Sequence, residues 1–564
     1  MTGLQSSRLS LGGGGDFRGL GGLDAGFKLL LELSGVDGSG TVEELFVVGV
    51  GSPVITRDSE WVSCRQSQEQ EEKAPTICTD TKQTTASPSG SSLPVMDRIA
   101  TKMSDKFCRY PSTNSSVKDI DVAVAAAREA FRTTWGKNVT GIERGRLLNK
   151  LADLMERDAQ VLGELECLNN GKPLKIARDF DVGDSVACLR YYAGWADKIV
   201  GQSIEIDSKT KFAFTKHDPI GVCAQIIPWN YPINMWAWKV APALACGCTI
   251  VMKPSEFTPL TALKLSELIV EAGFPPGVIN TIPSLGSVGG AALSSHKDVD
   301  KIAFTGSTVT GRKIMAAAAM SNLKKVSLEL GGKSPHLVFE SADLDQAANW
   351  VALGILYNTG QDCTAGSRVY VQDTIYDKFL QILIGKAKEL VIGDGFDEKS
   401  GGGPVVSKVQ YDKVWSYIES GKQEGAKLAL GGVKRSGKGY FVDPTIFTDI
   451  TPEMKIVKEE IFGPVLSVGK FSTEEEAIRL ANDTTYGLGA GLHSSDANQC
   501  MRVSNALEAG TVWVNQYNLL YNNVPFGGKK QSGIGRELGS HALEEYTSVK
   551  AIQWNFGEKL DWPL

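Results

Sequence analysis

Between residues 221 and 330 short apolar runs alternate with amphipathic stretches, and this rhythm leaves few folds open to the chain. Residues 222–227, 249–252, 278–282, 302–305 and 326–330 read as strands apolar on both faces. Between them a helix follows the Pro-Trp-Asn-Tyr-Pro loop to about Gly247, and another spans 260–272 until Gly273-Phe274-Pro275-Pro276-Gly277 stops it. Buried strands separated by helices imply a parallel, doubly wound α/β sheet. Such sheets bind ligands beyond the carboxyl ends of their strands. The alternation resumes after 335, and 369–525 is long enough for a second α/β domain. Upstream, Asp119 or Asp121 is positioned to cap a helix carrying Ile120, Val124, Ala127 and Phe131. One longer amphipathic helix is expected next, with Leu147, Leu151, Leu154, Val161 and Leu165 on one side, ending at Asn170-Gly171.

Residues 1–117 have a different texture. A GGGG run and the polar tract 66–92 offer almost no large apolar side chains, so a disordered extension is expected there. Arg8, Arg18 and Lys28 are interrupted by Asp16, Asp24 and Glu32, which gives no clean mitochondrial transit peptide, and the cytoplasm is the expected setting. Lys and Arg number 59 against 65 Asp and Glu, a net charge of −6, so no basic field points to nucleic acid or to a membrane surface. The apolar stretch 221–252 is broken by prolines, asparagines and Lys239 and reads as buried core. Only 5 histidines are present, none within a helical turn of another, which argues against a metal site. The 10 cysteines form no CxxC pair, as expected of a reducing compartment.

Polar groups recur where strands give way to loops: Asn230, Lys253 to Glu256, Gly306-Ser307, Glu329 to Gly332 and Gln361-Asp362-Cys363. The segment GSTVTG (306–311) is a strand–turn–helix with glycine at both ends, either a plain tight turn or a phosphate contact. Cys363, in NTGQDCTAGSR, is either a core cysteine or a nucleophile with a base in reach. Glu329, ending an apolar strand, either caps backbone amides or is desolvated into a general base.

Taken together, LELGGKSP (328–335), the later GQDCTAGSR and the earlier PWN resemble the aldehyde dehydrogenase superfamily. KPSE (253–256), FTGS (304–307), KEEIFGPV (458–465), TVWVN (511–515), PFGG (525–528) and SGIGRELG (532–539) follow in the family's order. The likeness is greatest to the broad-specificity, NAD-dependent class in its fungal-type form. It implies a Rossmann-like doubly wound cofactor domain (118–200 and 220–331), an α/β catalytic domain (332–531) and a small β oligomerisation flap (201–219 and 546–556).

By that resemblance Cys363 attacks the aldehyde, and Asn230 with the Cys363 N–H holds the oxyanion. Glu329 activates the water that hydrolyses the thioester, while Lys239 and Glu537 match orienting and proton-relay positions. The cofactor would be NAD, with NADP less favoured. Lys253 and Glu256 match the ribose contacts, and Ile227, Pro228, Trp229, Ser255, Gly306, Ser307 and Leu330 line the same crevice. Glu460 and Phe462 match residues at the nicotinamide and its ribose. Tyr231, Met235, Trp238, Tyr357, Leu520 and Phe526 would form the substrate channel for a small aldehyde, and the flap implies a homodimer or homotetramer.

The chain departs from its resemblance in three places. Asp362 stands before the nucleophile where an uncharged residue is usual; it either faces the channel, favouring cationic aldehydes, or points into a polar network away from the substrate. Lys529 replaces an aromatic residue after PFGG, and Asn114-Ser115-Ser116 is the only echo of the family's N-terminal NPSTGE hairpin. Competing readings are a CoA-acylating relative and a catalytically idle cofactor-binding protein.

Overall fold

The computed structural model describes residues 115–207 and 209–562. The polar tract expected to be disordered, with Cys64, Cys78 and Cys108, lies outside the described residues.

Six strands form the first sheet, in the order Gly533–Ile534, Lys325–Glu329, Lys301–Thr305, Val222–Ile226, Thr249–Lys253, Ile279–Thr281. All pairs are parallel except the antiparallel edge strand Gly533–Ile534. Successive residues feed opposite cores, as a strand's period of two requires. Cys223, Ile250 and Met252 pack into one cluster with Trp236, Leu244 and Leu268. Val222, Ala224, Ile226, Val251 and Ile302 pack into another with Ile120, Val124 and Ala127. Both faces are therefore covered, which is the doubly wound arrangement the apolar runs imply.

A second, seven-stranded sheet runs Lys427–Leu430, Thr445–Thr448, Val465–Phe471, Arg368–Gln372, Pro335–Val338, Gly489–His493, Thr511–Val514. It is parallel apart from its first pair. The antiparallel strands Ser203–Asp207, Lys211–Pro219 and Thr547–Asn555 make a third, smaller sheet.

Two local expectations are corrected. Helix Val117–Thr133 is capped by Ser116, not by Asp119 or Asp121; Asp119 is the third helical residue, and its carboxylate accepts from the Ser116 N–H (2.7 Å). The single long helix is two, Gly141–Arg157 and Ala159–Asn170, separated at Asp158. Val161 is exposed as a result, because the break rotates it off the apolar stripe carried by Leu148, Leu151 and Met155. Helix Leu260–Ala272 falls where the glycine–proline stop places it.

Candidate active site

Because five strands of the first sheet run parallel, their carboxyl ends open on one side. The loops Ile227–Asn230, Pro254–Glu256, Gly306-Ser307 and Leu330–Gly332 leave from there. The loop bearing Cys363 comes from the other sheet, between helix Leu344–Leu356 and strand Arg368–Gln372. A cavity of about 860 Å³ lies between these two sets of loops. Cys363, Glu329 and Asn230 all line it.

Helix Pro232–Cys246 presents Tyr231, Asn234, Met235 and Trp238 to the cavity, at the three-and-four spacing of one helical face. Tyr357, Leu520 and Phe526 complete this wall; Trp238 and Phe526 meet edge to face with centroids 5.6 Å apart. Trp350, Leu353, Phe180 and Asp184 also face the cavity and are carried by no motif in the sequence. Phe180 and Asp181 sit on a π-helical turn, Ala177–Val182, which no sequence periodicity announces.

Before Cys363 the backbone turns left-handed at three successive residues, Asn358 (φ 50°), Thr359 (φ 55°) and Gly360 (φ 68°). Such a run stores strain at a β-branched residue like Thr359. At Gly360 a Cβ would lie 2.2 Å from the Gly463 carbonyl oxygen, so the close approach requires glycine. The Asn230 side-chain amide donates to the Gln361 carbonyl (3.1 Å), and its own backbone carbonyl accepts from Asn358 (3.0 Å). The amide is thereby fixed beside the Cys363 loop.

Electrostatics here are unusual. Burial first, then repulsion from Asp362, Glu329 and Glu460, pushes the Cys363 thiol well above the ordinary cysteine range. Glu329 is 4% exposed and its Oε1 has no hydrogen-bond partner. Burial, then the nearby Glu537 carboxylate, raises its pKa well above the usual carboxylate range, with Lys239 opposing. Lys239, fully buried, donates to Glu537 Oε1 (2.5 Å) and to Thr305 Oγ1 (2.6 Å). Lys239 and Glu537 do not line the cavity; they act on it through Glu329. Thr305 belongs to FTGS, whose Gly-Ser turn alone drew notice in the sequence.

The other half of the cavity is built from strand-end loops and the segment after helix Lys455–Lys458. Pro228, Trp229, Gly306, Ser307, Leu330, Glu460 and Phe462 line it. Ser307 caps the 14-residue helix Thr308–Ser321, accepting from the Thr310 N–H at 3.3 Å, so the first amides of that helix are left facing outward. Gly331 passes so close to Glu460 that a Cβ would sit 2.4 Å from its Oε2, and the Gly332 N–H donates to Glu460 Oε1 (3.0 Å). Phe462, held at φ 61°, meets Trp229 edge to face at 5.2 Å. Ile227, Lys253, Ser255 and Glu256 lie off the cavity wall, at the adjacent strand ends. Lys253 is buried and its amine lies 3.4 Å from Glu256 Oε2; burial lowers its pKa. Lys413 and Gln410, unmarked in the sequence, also reach the cavity.

Asp362 lines the cavity, and its carboxylate is held by the Tyr231 hydroxyl and the Asn518 amide. Lys529 is exposed and off the cavity wall. Among the described residues no group of His, Cys, Asp or Glu is arranged to hold a metal ion, and no helix is long and apolar enough to cross a membrane.

Residues 88–552 match the aldehyde dehydrogenase family model. An aldehyde dehydrogenase of Davidiella tassiana is 57% identical over 443 residues, 78% of this chain and 89% of that protein. Aldehyde dehydrogenase 1A1 of Rattus norvegicus is 52% identical, covering 78% of this chain and 88% of its own. Among solved structures, the NAD+ complex of the Bacillus cereus aldehyde dehydrogenase superposes with a TM-score of 0.78 at 51% identity, covering 79% of this chain and 90% of that one. A betaine aldehyde dehydrogenase of Staphylococcus aureus in complex with NAD+ superposes with a TM-score of 0.77 at 43% identity, over 79% of this chain and 89% of that one.

Proposed function

The chain belongs to the aldehyde dehydrogenase family, and on that premise we propose that it oxidises a small aldehyde to the carboxylic acid with NAD, through intermediates bound to Cys363. The observation that carries this reading is the convergence on one cavity of Glu329 from the end of strand Lys325–Glu329, Asn230 from the loop after strand Val222–Ile226 and Cys363 from the loop before strand Arg368–Gln372.

Cys363 passes its thiol proton to the Glu329 carboxylate, which hands it on to solvent, and Sγ adds to the aldehyde carbon, giving a thiohemiacetal whose oxyanion takes hydrogen bonds from the Asn230 amide and the Cys363 N–H. One such donor is worth about 3 kcal/mol of barrier. Bound NAD supplies the acceptor for the hydride that leaves the substrate carbon. A thioester on Cys363 remains. Glu329, desolvated and free at Oε1, suits a base that takes a proton from water and then releases it; Lys239 and Glu537 hold its charge in balance. That free oxygen favours hydrolysis over acyl transfer to CoA.

The residues present fit NAD. The Gly306-Ser307 turn and the helix amides behind it suit a pyrophosphate, and Glu460 with Phe462 flanks the nicotinamide end. Glu256 beside Lys253 would accept from a ribose 2′-hydroxyl and repel a 2′-phosphate, which favours NAD over NADP. The three-stranded sheet exposes Ile204, Ile206, Phe212, Val549 and Trp554 and is suited to pairing copies as a homodimer or homotetramer. The seven described cysteines are free, which suits the cytoplasm.

The test is NADH formation from NAD and a panel of aliphatic, aromatic and trimethylammonium aldehydes. Formation that disappears in Cys363→Ala supports the reading; a folded enzyme that oxidises no aldehyde overturns it.

A further inference from the structure

Asp362 immediately precedes Cys363, and both of its oxygens are engaged. Its Oδ1 accepts from the Thr364 N–H (3.0 Å), closing a side-chain turn with Cys363 at the apex. Its Oδ2 accepts from the Tyr231 hydroxyl (3.0 Å) and the Asn518 amide (2.7 Å). Thr364 Oγ1 lies 2.8 Å from Asp362 Oδ1 and 2.5 Å from Asn518 Oδ1, and Tyr517 donates to the Thr364 carbonyl (2.7 Å). Tyr231 leads into helix Pro232–Cys246, and Asn518 follows strand Thr511–Val514, so one carboxylate ties the Cys363 loop to two distant segments.

Asp362 is 6% exposed and forms no ion pair among the described residues. The groups facing Cys363 are Asp362 from its own loop, Glu329 from strand Lys325–Glu329, Glu460 from the segment after Lys455–Lys458, and the Tyr517 hydroxyl. Among the described residues lining the cavity, Lys413 is the one cation.

We infer that Asp362 is a positioning residue: its carboxylate clasps the loop that aims Cys363, tying it to Tyr231 and Asn518, and stands next to the sulfur in the chain. The inference rests on Cys363 being the nucleophile. An asparagine at 362 keeps an oxygen for the Thr364 N–H, removes the charge, and sets its amide nitrogen against the Asn518 amide. Asn518→Ala loosens the clasp and leaves the charge.

The experiment follows iodoacetamide alkylation of Cys363 by peptide mass spectrometry against pH, in cofactor-free enzyme, alongside kcat and KM. Removing a like charge this close moves a neighbouring titration by about one unit or more, so Asp362→Asn should react about tenfold faster at neutral pH while its kcat falls. Asp362→Glu should return the alkylation curve to that of the parent. Asn518→Ala should lower kcat, with KM nearly unchanged, and leave the alkylation curve in place. Alkylation curves of Asp362→Asn and parent that coincide overturn the effect of the Asp362 carboxylate on the sulfur, and an unchanged kcat in both Asp362→Asn and Asn518→Ala overturns the clasp. Full activity in parent enzyme alkylated at Cys363 would instead sink the nucleophile reading on which both rest.

Discussion

Around Cys363 the chain buries ionisable groups, while on the three-stranded sheet it exposes apolar surface. Glu329, Asp362 and Lys239 are each less than a tenth exposed, and Glu329 keeps one oxygen unpaired. Holding an unpaired buried carboxyl costs about 1–3 kcal/mol, which a purely structural element has no reason to retain. On the sheet, Val549 and Trp554 are each 62% exposed, and the outer strands Ser203–Asp207 and Thr547–Asn555 pair along one edge only. An exposed apolar face beside free strand edges suits a surface rather than a substrate. On the function proposed above, the first region departs from ordinary packing for chemistry and the second for association.

The two regions can therefore be broken separately. Cys363→Ala should abolish NADH formation, by a thousandfold or more, as loss of a covalent nucleophile does elsewhere, with no change in particle mass. Glu329→Gln should lower steady-state turnover by roughly 10²–10⁴-fold while aldehyde still reacts with the thiol. It should also alter stability with a defined sign. The folded enzyme keeps a proton on Glu329 at pH values where the unfolded chain has lost it, so the parent loses stability as pH rises above the ordinary carboxyl range. Glutamine carries no such loss, and melting curves should favour the variant most at pH 8 and least near pH 4.

Lys239→Met should cost about 3–5 kcal/mol of stability by stranding Glu537, seen as a lowered Tm. Glu256→Ala should narrow the NAD over NADP preference by about tenfold in kcat/KM, equivalent to ~1.4 kcal/mol. At the sheet, Val549→Asp should reduce the mass in light scattering toward one chain and leave the rate per site within about twofold. If it instead abolished turnover, the separation of the two regions would fail.

The first sheet was legible because its strands are buried on both faces, so Val222–Ile226 and Thr249–Lys253 read as mainly apolar runs, interrupted only by Gln225 and the polar ends Thr249 and Lys253, between glycine and proline stops. The cavity residues in loops of distinctive composition were legible too. Residues contributed by helix faces were not: Trp350 and Leu353 look like any core positions of Leu344–Leu356, and only packing shows they meet the cavity. Nor could residue order show that Asp362 reaches Asn518, or that Lys239 bonds Thr305, since these contacts depend on which loops face each other. The break at Asp158 escaped because the apolar spacing of two successive helices nearly continues through it.

The central claim is that Cys363 carries the acyl group. Glu329→Gln enzyme mixed with NAD and an aldehyde, quenched within one turnover, and digested for mass spectrometry tests it most directly. Cys363 as nucleophile predicts a burst of about one NADH per chain and a Cys363 peptide heavier by the aldehyde less two hydrogens. NADH formed with the acyl mass on another residue, or with no acyl mass on the chain, would contradict it.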